Sequence, residues 1–494
     1  MTPILQLAVD RDARVPLQRQ LYEQLRGLIL DGRLAGGARL PATRTLARDV
    51  GVSRNTALAV YDQLLAEGYV EGRVGAGTFA AAELPEVAPL KPPAAPAPIR
   101  PARALSRRGR ALAALARPRG SRHMAFATGL PALDAFPHET WARLLARSWR
   151  RPGADQLAFG DPAGWRPLRA AIAAYLRQAR AVDCDPERIV IVSGAQQGIG
   201  LAARALADHG ETAWLEDPGY PGVEGALAGA GLALARIPID GEGIDIAGAA
   251  AVLKPARLVC VTPSHHYPTG VTMSLNRRLR LLQWAADNDA WILEDDYDSE
   301  YRYSGRPLAA LQGLDRANRV IYIGSFSKVM FPSLRIGYLI VPEDLIEPVR
   351  RARAALDDHP SSIAQPALAR FIEEGHFSSH IRRMRRLYAG RQALLIGAAR
   401  RHLGGLLMVP PTAAGMHLVA WPEPALQARL PDREIARLAA TAGLTVLALS
   451  PFYRAAPPRQ GLLLGFAAVP EAAMEPAIAR LAALLATGSG LAIS

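Results

Sequence analysis

Cysteine, lysine and long apolar runs are all scarce in this chain of 494 residues. The two cysteines, Cys184 and Cys260, have neither the spacing of a metal site nor the number needed for a disulfide framework. Residues 1–16 lack the apolar core of a secretory signal and already carry four charges. The uncharged run at 403–422 contains prolines and a histidine, which argues against a membrane helix. We therefore expect a reduced, cytoplasmic protein that does not enter a membrane.

Only three of the 58 basic residues are lysine, namely Lys91, Lys254 and Lys328. Arginine supplies positive charge elsewhere, but it stays protonated and cannot form an imine, whereas lysine can. Each lysine is therefore a candidate for chemistry that needs a primary amine.

Positive charge and proline are both concentrated between residues 81 and 122. This stretch contributes +7 to the net charge of +13, whereas residues 1–80 contribute +2. Seven prolines lie within residues 83–101, and such a composition favours an extended spacer over a packed core. We predict a head at 1–80, a linker at 81–122 and a body at 123–494. The charge excess indicates either a polyanionic partner or a solvated linker.

The head has the pattern of three helices followed by a hairpin. Apolar residues recur at helical spacing over 17–29, a second helix fits Thr43–Val50, and a third begins after Ser53 as its N-cap. Residues 69–79 have the pattern of a short hairpin turned by glycines. The arrangement predicts a winged helix-turn-helix whose third helix enters the major groove of double-stranded DNA.

The candidate DNA contacts lie at the start of the third helix, on the preceding helix and in the wing. Arg54 can bind a guanine in bidentate fashion, and glycines in the wing allow an approach to the minor groove. The full candidate set is Arg44, Arg48, Ser53, Arg54, Asn55, Thr56, Arg73 and Gly75. The alternative is a helical bundle that docks on the body and exposes its arginines to solvent.

Four segments of the head, at 40–44, 51–56, 65–69 and 75–79, resemble the DNA-binding domain of the GntR family of bacterial regulators. Leu58 stands where some members of that family carry an arginine. The resemblance implies DNA contacts by Arg44, Ser53, Arg54, Thr56 and Gly75.

The body alternates apolar strands with amphipathic helices. A helical region near 345–400 separates a larger part from a smaller one. Strands are predicted at 188–192, 258–262, 291–294, 320–324 and 336–341, and then at 417–421, 444–449 and 461–467. The pattern predicts an α/β fold with a mostly parallel sheet, followed by a small α+β lobe.

Groups that suit pyridoxal phosphate follow one another along the body. The cofactor needs a lysine for an imine, an acid at its pyridine nitrogen and a flat partner for its ring. Lys328 and Asp295 both stand at predicted strand ends, where α/β folds place their sites. Tyr297 can donate to the phenolic oxygen of the ring, and Tyr220 can stack on the ring. Taken singly these residues are weak indications, since a strand-end aspartate is often a cap and Ser-x-x-Lys also suits some hydrolases.

A phosphate site is predicted where the strand at 188–192 turns into a helix. The amides of Ala195 and Gln196 open that helix, and helix N-termini favour anions. Arg335, seven residues after Lys328, can add charge-assisted hydrogen bonds.

From about Phe126 onward, the order of these groups resembles the fold-type I aminotransferases. The segments 294–300 and 324–335 are similar, more narrowly, to the MocR subfamily, in which a GntR head is fused to an aminotransferase-like body. The resemblance implies pyridoxal phosphate as cofactor and a homodimer in which each head lies over the partner's body. It also implies cofactor contacts by Lys328, Asp295, Tyr297, Tyr220, Ser325, Ser327 and Arg335.

Two positions depart from the aminotransferase pattern. Tyr267 stands where aminotransferases carry an asparagine, so that either His266 substitutes or the contact is lost. The late strand at 461–466 lacks the arginine that holds a substrate carboxylate, although Arg454 or Arg459 could reach in from the preceding loop. We therefore predict a regulator that senses pyridoxal phosphate, or an amino-acid-like effector, through an imine on Lys328. The alternative is a working aminotransferase with the catalytic residues Lys328, Asp295 and Tyr297.

Overall fold

The computed structural model describes residues 7–73, 75–84, 105–115, 125–180, 182, 184–305, 309–455 and 457–489. The chain divides into two compact units, Met1–Ala104 and Leu105–Ser494. Most of the predicted linker at 81–122 lies outside the described residues. Within it, Arg107–Leu115 forms a helix that contacts the Pro221–Ala230 helix of the second unit.

The first unit is a three-helix bundle with a two-stranded wing. Its elements are α1 (Leu17–Leu30), α2 (Thr43–Val50), α3 (Arg54–Ala66), β1 (Val70–Arg73) and β2 (Gly77–Ala80). The core is formed by Leu21 and Leu25 of α1 with Val60 and Leu64 of α3, which are all fully buried. The two strands pair antiparallel, with Val70 opposite Ala80. The predicted winged helix-turn-helix is confirmed.

The turn between α2 and α3 is specified by its sequence. Gly51 ends α2 with φ +73°, a conformation that glycine adopts without strain. The Ser53 hydroxyl then accepts a hydrogen bond of 3.0 Å from the amide of Thr56 and caps α3.

The second unit is built on a sheet of eight described strands. They are β3 (Ile189–Val192), β4 (Thr212–Asp217), β5 (Ala233–Asp240), β6 (Gly243–Ile244), β7 (Leu258–Val261), β8 (Trp291–Asp296), β9 (Val320–Ser325) and β10 (Gly337–Ile340). Their order is β3-β10-β9-β8-β7-β4-β5-β6. Only β10 and the short edge strand β6 run antiparallel to their neighbours. This agrees with the predicted mostly parallel sheet.

Helices cover the sheet and extend into the small lobe. The described helices are α4 (Arg107–Leu115), α5 (His138–Trp149), α6 (Ala154–Leu157), α7 (Arg166–Arg180), α8 (Ala195–Leu206), α9 (Pro221–Ala230), α10 (Ile246–Val252), α11 (Leu275–Asp287), α12 (Leu311–Leu314), α13 (Ile346–Asp357), α14 (Gln365–Glu373), α15 (His376–His402), α16 (Pro424–Arg429), α17 (Asp432–Thr441) and α18 (Glu471–Ser489). Among the described residues, no helix is both long enough and apolar enough to cross a bilayer.

The small lobe is an antiparallel sheet. Its described strands are β11 (Leu407–Met408), β12 (His417–Pro422), β13 (Leu447–Ala448) and β14 (Leu462–Gly465), in the order β11-β12-β14-β13. The segment before α5 pairs with this sheet, because Phe126 bridges Gly465. Residues 125–129 are thereby fixed beside β14.

Candidate functional site

The carboxyl ends of β3, β4, β7, β8 and β9 lie at one edge of the large sheet. The residues that the sequence predicts to bind a cofactor stand at these strand ends or within six residues beyond them. They are Ala195, Gln196, Tyr220, His266, Asp295, Tyr297, Ser325, Ser327 and Lys328. The topology therefore brings them to the same edge.

Lys328 is held next to the segment that precedes α5. Its Nζ donates a hydrogen bond of 2.8 Å to the carbonyl oxygen of Gly129. Gly129 has φ +68°, and a Cβ there would lie 2.7 Å from Nζ. The positive φ favours glycine here, and any side chain at this position would displace the end of the lysine. Nothing in the local sequence singles out Gly129.

Asp295 is a buried acid near the carboxyl end of β8. It is buried, and its Oδ1 has no hydrogen-bond partner among the described residues. Burial, followed by the charge of Asp296, raises the pKa of Asp295 to about 7, and the nearby charge of Lys328 opposes this rise. Asp296 is engaged through its Oδ2, which accepts from Arg180 at 2.7 Å and from the Tyr322 hydroxyl at 2.6 Å. Its Oδ1 is also buried without a hydrogen-bond partner among the described residues.

An anion cradle lies between β3 and β9. Gly194 precedes α8 with φ +125° and provides no side-chain cap for the first turn of that helix. A Cβ on Gly194 would lie 3.4 Å from Nη1 of Arg335, so the guanidinium faces the helix start. The amide of Ser327 donates to the Ser325 hydroxyl at 3.2 Å on the adjoining strand end. A helix N-terminus beside an arginine suits a phosphate group.

Tyr297 has a partner that the sequence analysis did not identify. Its hydroxyl lies 3.0 Å from Nδ1 of His265, and the same nitrogen lies 3.1–3.2 Å from the carboxylate oxygens of Asp298. His265 and Asp298 are both buried. The three side chains thus form a linked group in which Tyr297 is held by a histidine.

His266, the neighbour of His265, lies beside a threonine and a buried glutamate. Its Nδ1 lies 2.7 Å from the Thr269 hydroxyl, and its Nε2 lies 3.5 Å from a carboxylate oxygen of Glu216. Burial lowers the pKa of His266 to about 3 and raises that of Glu216 to about 8. His265 contacts Tyr297, whereas the expectation that His266 substitutes for the usual asparagine stays a prediction.

The two arginines before β14 also have partners. Arg454 contacts Glu224 with Nη2 at 2.7 Å, and its amide donates to Asp217 at 3.0 Å. The guanidinium of Arg459 lies 3.8 Å from the ring centroid of Trp421. Arg454 therefore contacts elements of the large-sheet part, whereas Arg459 packs on a side chain of β12.

These features fit pyridoxal phosphate. Oδ1 of Asp295 is buried, has no hydrogen-bond partner in the described part of the chain, and can accept from a pyridine N–H. Arg335 faces the glycine turn where a phosphate would lie, and Lys328 supplies a primary amine.

In the first unit, most of the candidate DNA-binding side chains are exposed. Arg54 and Asn55 project from the start of α3, and Arg44 and Arg48 are exposed on α2. Ser53 and Thr56 bond to each other while capping α3, with their hydroxyl oxygens 2.8 Å apart.

The wing carries the candidate Arg73, and two further arginines, Arg11 and Arg39, contact the helix turn and the wing. Arg73 stacks on Phe79 at 4.6 Å, and Gly75 turns the wing with φ +72°. Arg11 donates to the carbonyl of Gly51 between α2 and α3 at 2.5 Å. Arg39 packs against Gly77, whose Cβ would lie 3.2 Å from the Arg39 Nε. Arg11 and Arg39 were not among the predicted contacts, because each is distant in sequence from the glycine that it contacts.

Comparison with known proteins agrees with both units. The family "Bacterial regulatory proteins, gntR family" matches residues 17–80, and "Aminotransferase class I and II" matches residues 124–481. The chain is 45% identical to the "Probable rhizopine catabolism regulatory protein MocR" of Rhizobium meliloti, over 96% of this chain and 94% of that one. The chain belongs to the MocR subfamily of GntR-type bacterial regulators. It is a DNA-binding regulator with an aminotransferase-like domain.

A second regulator and two solved aminotransferases are also similar to this chain. The pyridoxine biosynthesis regulator PdxR of Corynebacterium glutamicum is 30% identical over 98% of this chain and 99% of its own. The kynurenine aminotransferase of Pyrococcus horikoshii matches with a TM-score of 0.67 and 26% identity, over 78% of this chain and 95% of that one. The α-aminoadipate aminotransferase LysN of Thermus thermophilus matches with a TM-score of 0.67 and 27% identity, over 78% of this chain and 96% of that one. The aminotransferase class I and II family depends on pyridoxal phosphate.

Proposed function

We propose that this MocR-type regulator holds pyridoxal phosphate on Lys328 and senses the cofactor, or an amine effector bound through it. The observation that carries the proposal is the meeting of three groups at the carboxyl ends of the strands. They are Lys328, the Gly194–Arg335 cradle and the buried carboxyl group of Asp295, whose Oδ1 has no hydrogen-bond partner among the described residues. When bound, the cofactor supplies a carbonyl carbon that forms an imine with a primary amine.

Each residue has a distinct task in this proposal. Lys328 holds the cofactor covalently, Asp295 keeps its pyridine nitrogen protonated, and Tyr297 donates to its phenolic oxygen. Tyr220 stacks on the ring, and Arg335 binds the phosphate together with Ser325, Ser327 and the amides of Ala195 and Gln196.

The output of the proposed sensor is the engagement of DNA by the heads. A ligand shifts a conformational equilibrium only by its differential affinity for the two arrangements. We propose that a cytoplasmic head-to-tail homodimer provides these arrangements, with Arg44, Arg48, Ser53, Arg54, Asn55, Thr56, Arg73 and Gly75 on the DNA-binding surface. DNA and ligand must then change each other's affinity by the same factor.

A working aminotransferase is the second candidate, because Lys328 and Asp295 are both retained in a buried site. The two functions differ in turnover. Release of keto acid at an ordinary enzymatic rate of about 1–10³ per second would favour the enzyme. Slow or absent release, together with a ligand-dependent change in DNA affinity, favours the sensor.

The experiment is borohydride reduction of the protein loaded with pyridoxal phosphate, followed by mapping of the adduct. We expect a yellow protein whose colour is lost on reduction and whose adduct lies on Lys328. Lys328→Arg keeps the charge but cannot form an imine, so it should lack the absorption band. Lys254→Arg, at an exposed lysine, is the matched control and should keep the band. An unchanged band in Lys328→Arg would refute the assignment.

A further inference from the structure

One side chain on the exposed face of α3 is apolar, although its neighbours at the start of that helix are polar. Leu58 is 46% exposed, and Arg54 and Asn55 at the preceding turn are exposed as well. The opposite face of α3 is buried in the core of the head through Ala57, Val60, Tyr61 and Leu64. Leu58 therefore contributes little to that core.

Helical geometry places Leu58 between Arg54 and Asn55 when α3 is viewed along its axis. At about 100° per residue, Leu58 lies about 40° from Arg54 and about 60° from Asn55. A leucine side chain in a helix leans toward the helix N-terminus and covers the turn before its own Cα. Leu58 therefore belongs to the same surface patch as the guanidinium of Arg54 and the amide of Asn55.

The charges along α3 indicate that this patch, and not the far end of the helix, approaches DNA. The first turn carries Arg54 and the positive end of the helix dipole, which both favour phosphate oxygens. Further along, the exposed residues include Asp62, and Glu67 follows the last turn. Carboxylates repel the phosphate backbone. Leu58, which is the last exposed residue before Asp62, therefore stands at the end of the part of α3 that suits a duplex.

An apolar side chain in the major groove matches one feature of the bases. Thymine carries a 5-methyl group on its major-groove edge, and the other three bases lack it. The aliphatic end of a leucine can bury that methyl group and remove apolar surface from water. Against the donors and acceptors of guanine or adenine, the same side chain would displace water without replacing its hydrogen bonds, which is costly.

We propose that Leu58 reads a thymine in the operator through the 5-methyl group of the base, next to the bases that Arg54 and Asn55 contact. The inference rests on the proposed function, namely that the start of α3 lies on DNA. It adds an apolar source of base preference to the polar ones. Such a preference releases no counterions, so it should not change with salt, whereas the affinity as a whole should fall.

The test removes the methyl group from the DNA and leaves the hydrogen-bonding groups of the base pair unchanged. The full-length protein selects a duplex from a random pool, and each thymine of that duplex is then replaced singly by uracil. We expect uracil at one position of each half-site to lower the affinity by about threefold to fivefold, as for one methyl group returned to water. This ratio should be the same at low and high salt. At that position, 5-methylcytosine should bind better than cytosine.

Two leucines of α3 provide a matched set of variants. Leu58→Ala places a strong helix former at an exposed position, so the head should fold as before while the difference between thymine and uracil disappears. Leu58→Met keeps an apolar side chain of similar size and should keep the difference. Leu65→Ala is the control, because Leu65 is 51% exposed but lies beyond Asp62, and it should keep the difference as well.

The other outcomes overturn the inference, and Arg54→Ala separates it from the proposed function. If no uracil lowers the affinity, or if the uracil effect persists in Leu58→Ala or is lost in Leu65→Ala, the inference is wrong. A change of oligomeric state in Leu58→Ala, with DNA affinity unaltered, would show that Leu58 packs on protein instead. If Arg54→Ala weakens binding while uracil has no effect, α3 lies on DNA and only the role of Leu58 fails. If neither change alters the affinity, the proposed DNA-binding surface itself fails.

Discussion

Replacing Asp295 by asparagine should stabilise the protein free of cofactor while weakening its hold on pyridoxal phosphate. The pKa of Asp295 is raised from an ordinary value near 4 to about 7 by burial and by Asp296. A carboxyl group with a raised pKa costs the fold stability as pH rises from the unfolded pKa to the folded one. One pKa unit is about 1.4 kcal/mol, so the cost above pH 7 is on the order of 4 kcal/mol.

The stabilisation expected for Asp295→Asn depends on pH, because the cost of the wild-type carboxyl group does. At pH 5 the same group costs only on the order of 1–2 kcal/mol, because Asp295 is then largely protonated in the folded state. Asp295→Asn cannot ionise, so its gain in the free energy of unfolding should be larger at pH 8 than at pH 5. Urea titrations of the cofactor-free proteins measure this difference. Asp344→Asn, at an exposed carboxyl group, is the control and should show no such gain.

The opposite effect on cofactor binding distinguishes this account from simple stabilisation. The asparagine side chain would lack the negative charge that pairs with a pyridine N–H, so the affinity of Asp295→Asn for pyridoxal phosphate should fall. A variant that is less stable than the wild type at both pH values would refute the view that ionisation of the buried Asp295 costs the fold stability. Unchanged cofactor affinity would refute its assignment to the pyridine nitrogen.

Three further predictions concern the cradle, the head and the linked histidine. Arg335→Gln should weaken pyridoxal phosphate binding by about 10–100-fold with little change in stability, measured by equilibrium titration; unchanged affinity would remove Arg335 from the phosphate site. Arg54→Ala should cost about 1–3 kcal/mol and relax base preference, whereas Arg48→Ala should weaken binding to all sequences alike. Affinity for DNA should fall steeply with salt, and salt-independent binding would contradict a phosphate-contacting head. His265→Asn should shift the pH midpoint of the cofactor absorption band through the loss of the contact with Tyr297; an unchanged midpoint would make His265 purely structural.

The regular parts of both units could be predicted from the sequence because local patterns decide them. In the head, Gly51 and Ser53 mark the turn between helices, and the apolar spacing marks the helices themselves. In the body, β7, β8 and β9 are short apolar runs, and their carboxyl ends lie where the α/β pattern places a site.

Several strands, β4 and β5 among them, and two contacts could not be predicted in this way. The strand β4 ends in the buried acids Glu216 and Asp217, and β5 contains Pro238, so neither has the apolar run of a buried strand. Gly129 reaches Lys328 across about 200 residues of chain, through the pairing of its segment with β14. The contact of His265 with Tyr297 depends on which of two adjacent histidines faces the site, and a single sequence gives no sign of that choice.

The central claim is that the occupancy of Lys328 is coupled to the engagement of DNA. The most direct measurement is the affinity of the full-length protein for a duplex selected from a random pool, with and without saturating pyridoxal phosphate. In the wild type we expect the cofactor to change this affinity by about 5–150-fold, and the duplex to change cofactor affinity by the same factor. In Lys328→Arg neither change should occur. A wild-type protein that binds both ligands with affinities independent of each other would contradict the account.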